Sequence, residues 1–152
     1  MGNDKIKIYW DSCCFLAVLN DEAEFGDVCC QIVNESKLGE IDLFFSPLTM
    51  AETVRPKGSA SPLSRENRDK VLGFFENDYI TFINFSREIA RSSLELCWDY
   101  ELHARDSMHL AAALSASCNF LETTDAKLLS MNGKISDIEI RKPKGKGQGN
   151  LL

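Results

Sequence analysis

The amino-acid sequence predicts a single α/β domain, in which a twisted parallel sheet of about five strands is flanked by helices on both faces. Short apolar runs typical of buried strands alternate along the chain with longer segments in which apolar residues recur every three or four positions. The connections between them are short, which favours βαβ units. The chain has 152 residues, a length typical of one domain with a substantial core.

The first strand and the two helices after it are predicted from apolar periodicity and capping residues. Residues 5–10 form the strand, and Ser12 then opens a short apolar helix. We expect a second helix to begin with Asp21 as its cap, because Glu24 follows three positions later in a capping-box spacing. Gly39 ends this helix.

The next strand and two further helices are marked by turn residues. Residues 41–45 are a compact apolar run typical of a buried strand. Pro47 is suited to the first position of a third helix, which ends before Pro56. Residues 56–62 form the clearest loop inside the domain, and Ser64 caps the helix that follows it.

The second half of the chain continues the alternation of strands and helices. Residues 80–84 form a strand, and Ser86 caps the next helix. Residues 104–118 form a helix rich in alanine and serine, whose small side chains let its backbone approach the sheet closely. Residues 119–124 form a strand and residues 126–131 a short helix.

The end of the chain is predicted to be an edge strand followed by a tail. Residues 138–142 alternate between apolar and polar side chains, as expected at a sheet edge. From residue 144 onward, glycines and lysines predict a flexible basic tail. The domain is therefore predicted to cover residues 1–143, with the tail at residues 144–152.

The composition narrows the possible function classes. The formal net charge of −6 argues against nucleic-acid binding through the overall electrostatic field. The longest apolar stretch, residues 13–19, is too short to cross a bilayer, so no membrane association is expected. The six cysteines include two adjacent pairs within apolar helical patterns and no CxxC spacing. They predict reduced, buried thiols in a cytoplasmic protein.

Four acidic side chains follow strands or lie in the helices just beyond them: Asp11, Glu52, Asp106 and Asp125. Because the carboxyl ends of parallel strands share one edge of the sheet, these acids are expected to converge. Crowded carboxylates repel one another unless a hard cation neutralises them, which predicts a Mg²⁺ or Mn²⁺ site. Each acid alone is explained as well by helix capping or surface exposure, so the hypothesis depends on the combination.

Four stretches carry a resemblance to a known family: residues 9–12, 46–52, 104–113 and 121–125. Their order and spacing, over about 120 residues, resemble the PIN domain nucleases, and among these the VapC-like toxins of toxin–antitoxin pairs. The third stretch is the most specific. The chain departs from the family at Cys13, where Ser or Asn is common, and this substitution weakens a hydrogen bond beside the acids.

The resemblance implies a metal-dependent endoribonuclease that leaves a 5′-phosphate and a free 3′-hydroxyl. Its catalytic and metal-binding set is Asp11, Glu52, Asp106 and Asp125. Since Mg²⁺ keeps several water ligands, two or three carboxylates are enough for each ion. We expect Asp11 and Asp106 to hold the principal ion, and Glu52 and Asp125 to complete the site.

Further residues have supporting roles in this hypothesis. Thr123 matches the threonine of the family's T-x-D pattern, and Ser12 and Thr123 are candidates for hydrogen bonds to the acids. Arg55, Lys57 and Arg105 are candidates for contacts with RNA phosphates. The resemblance also implies a homodimer and, for a type II toxin, a small antitoxin that covers the acidic cavity with a basic side chain.

Three other functions fit the sequence less well. A phospho-acceptor signalling domain needs paired acids directly after the first strand and a lysine on a late strand, whereas Asp4 precedes the strand and Lys127 lies in a helix. A di-iron site would need a second motif like Asp106 and His109, so His109 is expected to be packed or hydrogen-bonded. A catalytically silent RNA- or protein-binding module would not need the complete acidic set.

Overall fold

The computed structural model describes residues 4–54 and 61–147, and it confirms the predicted α/β fold. In this part of the chain, five parallel strands form one sheet in the order β3-β2-β1-β4-β5. The strands are β1 (Ile6–Trp10), β2 (Ile41–Phe45), β3 (Ile80–Phe82), β4 (Phe120–Glu122) and β5 (Glu139–Arg141). The first strand lies at the centre, with β2 on one side and β4 on the other.

Helices connect these strands and cover both faces of the sheet. The helices in the described residues are α1 (Ser12–Leu19), α2 (Gly26–Lys37), α3 (Pro47–Val54), α4 (Arg65–Phe75), α5 (Arg87–Tyr100), α6 (Ala104–Ser115) and α7 (Ala126–Leu129). No helix among these residues has the length and apolar character needed to cross a bilayer.

Each face of the sheet has its own hydrophobic core. Ile8 and Trp10 point into one cluster with Phe45 and the aromatic side chains of α4. Tyr9 points to the opposite face, where it packs with the alanine-rich side of α6. This alternation is the normal consequence of strand geometry, and with a core on each face it explains why the last three residues of β1 are all buried.

The start of α2 differs from the prediction. The helix begins at Gly26, and Asp21 lies instead in a turn with a φ of +49°. A Cβ atom on Gly26 would come within 3.2 Å of the backbone carbon of Asp21. The turn therefore packs too closely against the helix start for a larger residue, and the capping box with Glu24 is not formed. The caps predicted at Ser64 and Ser86 are confirmed.

The described end of the chain is also more ordered than predicted. Glu122, at the end of β4, is fully buried. Its Oε1 accepts a hydrogen bond from Trp10 Nε1 at 2.9 Å, and its Oε2 accepts from the amides of Lys144 and Gly145 at 2.8 and 2.7 Å and from Arg141 Nε at 3.2 Å. Residues 144–147 are thus tied to the sheet. The remainder of the expected flexible tail, residues 148–152, lies outside the described residues.

All six cysteines are free thiols, as the sequence predicts. Cys14, Cys29 and Cys118 are buried, and Cys13 and Cys97 are partly buried. Cys30 is exposed, so the expectation of burial is wrong for this residue. It follows Cys29 on a helix, and the adjacent position faces solvent.

Candidate active site

The four acidic residues singled out from the sequence line one cavity of about 520 Å³ at the carboxyl edge of the sheet. Asp11 follows β1 and caps α1, while Asp125 follows β4 and caps α7. Glu52 lies in α3, and Asp106 lies in the first turn of α6. Four separate segments of the chain therefore bring carboxylates to the same cavity.

The carboxylates surround the cavity and do not form a tight cluster. Within the described residues, the group of potential metal ligands that lies within 4.8 Å of one another is Asp11 with Cys13 and Cys14. No three of the four carboxylates come that close together. Like charges repel, and other partners hold Glu52 and Asp125 at the cavity wall.

Asp11 is the most deeply buried of the four acids, with only 5% of its surface exposed. Its Oδ2 accepts a hydrogen bond from the Thr123 hydroxyl at 2.5 Å. Its Oδ1 accepts from the amide of Cys13 at 3.1 Å and lies 2.6 Å from the Cys13 sulfur, so a proton must lie between these two atoms. Burial raises the pKa of Asp11 well above its usual value.

Thr123 connects two of the acids. Its oxygen donates to Asp11 and accepts a hydrogen bond from the amide of Asp125 at 2.9 Å. The Asp125 carboxylate in turn accepts from the amide of Leu128 at 2.9 Å. Ser12 lines the cavity, but within the described residues no hydrogen bond joins its hydroxyl to an acidic side chain.

Asp106 is half-buried, and its environment disfavours the charged form. Burial is the largest cause that raises the pKa of Asp106, and the negative charges of Asp125 and Glu52 add to it. His109 and His103 act in the opposite direction. The raised pKa is the electrostatic signature of acids that share one cavity.

Glu52 is held by a chain of buried side chains that the sequence analysis did not assign. Its Oε1 lies 2.6 Å from His109 Nε2, and His109 Nδ1 lies 2.6 Å from the Tyr9 hydroxyl. The Tyr9 hydroxyl also lies 2.7 Å from the hydroxyl of Ser46. The prediction that His109 is packed and hydrogen-bonded is confirmed. Tyr9 lies two positions before Asp11 on β1, and side chains two positions apart on a strand point to the same face. This spacing indicates that Tyr9 lies beside the site.

Basic side chains stand at the rim of the cavity. Arg105, Lys127 and His103 are among the residues that line it. Arg105 NH1 lies 3.4 Å from Glu52 Oε2. Arg55 and Lys57, the other two candidates for phosphate contacts, lie outside the described residues. Lys127 was not considered for this role from the sequence, because its position in a helix after β4 gave no sign that it would reach the cavity.

The chemistry of the donors fits a hard divalent cation. The four acids supply carboxylate oxygens, the ligands that Mg²⁺ and Mn²⁺ prefer. A cation among them would also offset the cost of burying charged carboxylates, which is the largest cause of the raised pKa values of Asp11 and Asp106. The two sulfur atoms near Asp11 suit softer metals, and the Cys14 thiol already donates to the Glu122 carbonyl at 3.2 Å.

Comparisons with known proteins give one family match and several similar folds. The PIN domain family model matches residues 8–134. VapBC2 from Rickettsia felis, solved with a promoter DNA fragment, has a TM-score of 0.65 and 15% identity, covering 90% of this chain and 98% of that chain. A toxin–antitoxin complex from Klebsiella pneumoniae has a TM-score of 0.62 and 18% identity, covering 88% and 99%.

A third similar structure is Mycobacterium tuberculosis VapC20, described as a toxin that cleaves the sarcin-ricin loop. It has a TM-score of 0.60 and 10% identity, covering 78% of this chain and 90% of that chain. No individual curated protein sequence matches the chain. At these identities the structural likeness establishes the fold, and the family match comes from the sequence.

The raised pKa of Asp11 predicts how stability depends on pH once its neighbour Cys13 is replaced. Hydrogen bonds, first of all from Cys14, lower the pKa of Cys13 to about 5 in the wild type. The thiol proton lost on folding offsets the carboxyl proton gained, so the comparison is made in a Cys13→Ser background. Burial is the largest cause of the raised Asp11 pKa, so in that background the folded state still binds this proton more tightly than the unfolded chain, and stability falls as the pH rises from about 4 through the raised pKa. Asp11→Asn cannot ionise. In EDTA at pH 8 we expect Asp11→Asn in the Cys13→Ser background to have a higher free energy of unfolding than Cys13→Ser alone, by on the order of 1 kcal/mol. The difference should shrink towards zero near pH 4.

Urea unfolding at pH 4, 6 and 8 measures this effect. Asp99→Asn, at an exposed position on α5, serves as the control and should show no such pH-dependent gain. An Asp11→Asn variant that is less stable at pH 8 than the Cys13→Ser parent would contradict the expected cost of burying the charged Asp11 carboxylate.

Proposed function

The chain belongs to the PIN domain family, and from this premise we propose that it is a metal-dependent endoribonuclease. The observation that carries the proposal is the convergence of Asp11, Glu52, Asp106 and Asp125 on one cavity. Support also comes from the similar fold of a toxin described as cleaving the sarcin-ricin loop. The proposed reaction is hydrolysis of an RNA phosphodiester bond.

In this proposal, Asp11 and Asp106 hold the principal ion, Mg²⁺ or Mn²⁺, and Glu52 and Asp125 complete its surroundings. An ion held by these residues would supply charge neutralisation at the phosphate oxygens and would lower the pKa of a water molecule. Thr123 keeps Asp11 and Asp125 in fixed orientations through its two hydrogen bonds. Attack by water forms a new P–O bond and breaks the bond to the 3′ oxygen, which leaves as a hydroxyl and gives a 5′-phosphate.

The substrate backbone is proposed to lie against the basic rim of the cavity. Lys127 is exposed at the cavity wall, and within the described residues no ion pair joins it to a carboxylate. Arg105 already forms an ion pair with Glu52. Because the protein carries a net charge of −6, binding must depend on such local cations. Arg55 and Lys57 remain predicted contacts from the sequence.

The proposed partner is an antitoxin that covers the acidic cavity. Toxin–antitoxin assemblies are among the structures with a similar fold. A cavity lined by four acids favours an inserted basic side chain, since a cationic head would offset the same repulsion as a metal ion.

Two further features of the proposal depend on the family resemblance. We propose that the protein acts in the cytoplasm and forms a homodimer. Leu94 and Trp98 lie one turn apart on α5 with 61% and 83% of their surfaces exposed, and a dimer could bury this apolar pair. The molar mass in solution, measured by light scattering, would decide whether the protein dimerises.

Cleavage of RNA should require both a divalent cation and the acidic set. We expect the wild type to cleave RNA in the presence of Mn²⁺ or Mg²⁺. Cleavage should stop when EDTA removes the divalent cation. Asp106→Asn should lower kcat/KM at least about 100-fold, because several kcal/mol of charge stabilisation depend on the metal site. Asp99→Asn, at an exposed position away from the cavity, should retain full activity. RNA binding without turnover in the wild type would favour a silent binding module instead.

Lys127→Ala should weaken RNA binding by removing a phosphate contact. In an Asp106→Asn background that prevents cleavage, we expect the slope of log K against log salt concentration to fall by about 0.7 for a single-stranded RNA. Lys134→Ala removes a lysine that does not line the cavity and provides the matched control. Equal slopes for the two variants would exclude Lys127 from the binding surface.

Expression of the chain without its partner should arrest growth of the host cells, because uncontrolled RNA cleavage would be toxic. Co-expression of the neighbouring gene product should relieve the arrest, and Asp106→Asn should be harmless. Growth curves of the three strains measure this effect. A wild-type chain that is harmless when expressed alone would count against the toxin assignment.

A further inference from the structure

Contacts with neighbouring side chains hold Glu52 in one orientation at the cavity wall. A glutamate side chain has several rotatable bonds, and fixing it costs conformational entropy. Its ion pair with Arg105 is long, at 3.4 Å, and Arg105 is about half exposed, so this contact contributes little. The short hydrogen bond to His109, which is 2% exposed, is the stronger constraint.

The hydrogen bonds at its two ring nitrogens determine the tautomer of His109. A carboxylate only accepts hydrogen bonds, so His109 Nε2 must carry the proton that Glu52 receives. In a neutral imidazole, Nδ1 is then an acceptor, and the Tyr9 hydroxyl must donate to it. The Tyr9 oxygen in turn accepts from the Ser46 hydroxyl. The whole chain has one consistent direction, which runs from Ser46 towards Glu52.

The protein environment supports this direction. Tyr9 and Ser46 are fully buried, so their hydroxyl groups have no exposure to solvent and bond to each other and to His109. The Tyr9 and His109 rings also contact each other edge to face, with centroids 5.6 Å apart. The imidazole is therefore fixed by packing as well as by hydrogen bonds at both nitrogens.

We propose that His109 is a positioning residue that acts through Glu52, and that Tyr9 holds it in the Nε2–H tautomer required for this role. The inference rests on the proposed metal-dependent nuclease function. His109 engages Oε1 of Glu52 and fixes the direction in which Oε2 faces the cavity. Hydrogen-bond partners of this kind typically affect metal affinity about 10- to 100-fold when they are removed.

Replacement of His109 tests the inference through metal binding. His109→Leu replaces the imidazole with an apolar side chain of similar volume that cannot donate to Glu52, and we expect it to weaken Mn²⁺ binding at least about 10-fold. His109→Gln restores a donor near the same position and should recover most of the affinity. Electron paramagnetic resonance of free Mn²⁺ gives the affinity, and kcat/KM for RNA cleavage should follow it.

Ser107→Ala is the matched control. Ser107 is also buried on α6, where its hydroxyl lies 2.7 Å from that of Ser93 and 2.9 Å from the Cys97 sulfur. The variant should lose stability but keep wild-type Mn²⁺ affinity. Wild-type affinity in His109→Leu, or affinity losses in both variants that simply follow their melting temperatures, would overturn the inference.

The tautomer is measured separately in the wild type by long-range ¹H–¹⁵N correlation spectra. The chain has two histidines, and the exposed His103 provides the internal reference. An Nε2–H tautomer at His109 supports the inference, whereas an Nδ1–H tautomer or a doubly protonated ring overturns it. A wild type that binds no Mn²⁺ would contradict the proposed function itself. That result is distinct from an unchanged Mn²⁺ affinity in His109→Leu, which would contradict only the role of His109.

Discussion

The burial of carboxylates around one cavity is the constraint on which the rest of this domain depends. Asp11, Glu52, Asp106 and Asp125 share one cavity, and the pKa values of Asp11 and Asp106 are raised by burial and, for Asp106, by the neighbouring acids. Such an arrangement costs folding free energy unless a cation is present. The surrounding structure must therefore hold the acids in place against this cost.

The central strand holds Asp11 from both faces of the sheet. Tyr9 and Trp10 precede it directly and, because side chains alternate along a strand, they point in opposite directions. Tyr9 reaches His109 on one face, and Trp10 Nε1 donates to Glu122 on the other. Since β1 also pairs with β2 and β4, the backbone that leads into Asp11 has little freedom to move away from the cavity.

Local patterns in the sequence predict most of this architecture, whereas contacts between distant residues do not follow from them. Strand positions, the caps at Ser64 and Ser86, and the convergence of acids at one sheet edge all follow from periodicity and topology. The start of α2 was missed because Gly26 packs against a preceding turn. The order of residues 144–147 depends on Glu122, more than 20 positions away, and the position of Glu52 depends on His109.

Glu122 and Asp11 show why two buried acids at the same sheet edge have different roles. Glu122 receives hydrogen bonds from two backbone amides, an indole and the Arg141 guanidinium, so its charge already has a cationic partner inside the protein. Asp11 receives hydrogen bonds from an amide and a hydroxyl and shares a proton with the Cys13 sulfur, and within the described residues no basic side chain pairs with it. A buried carboxylate without a cationic partner can still gain stabilisation from an external cation. The distribution of countercharge thus separates the acid that holds the fold together from the acid that we propose as a metal ligand.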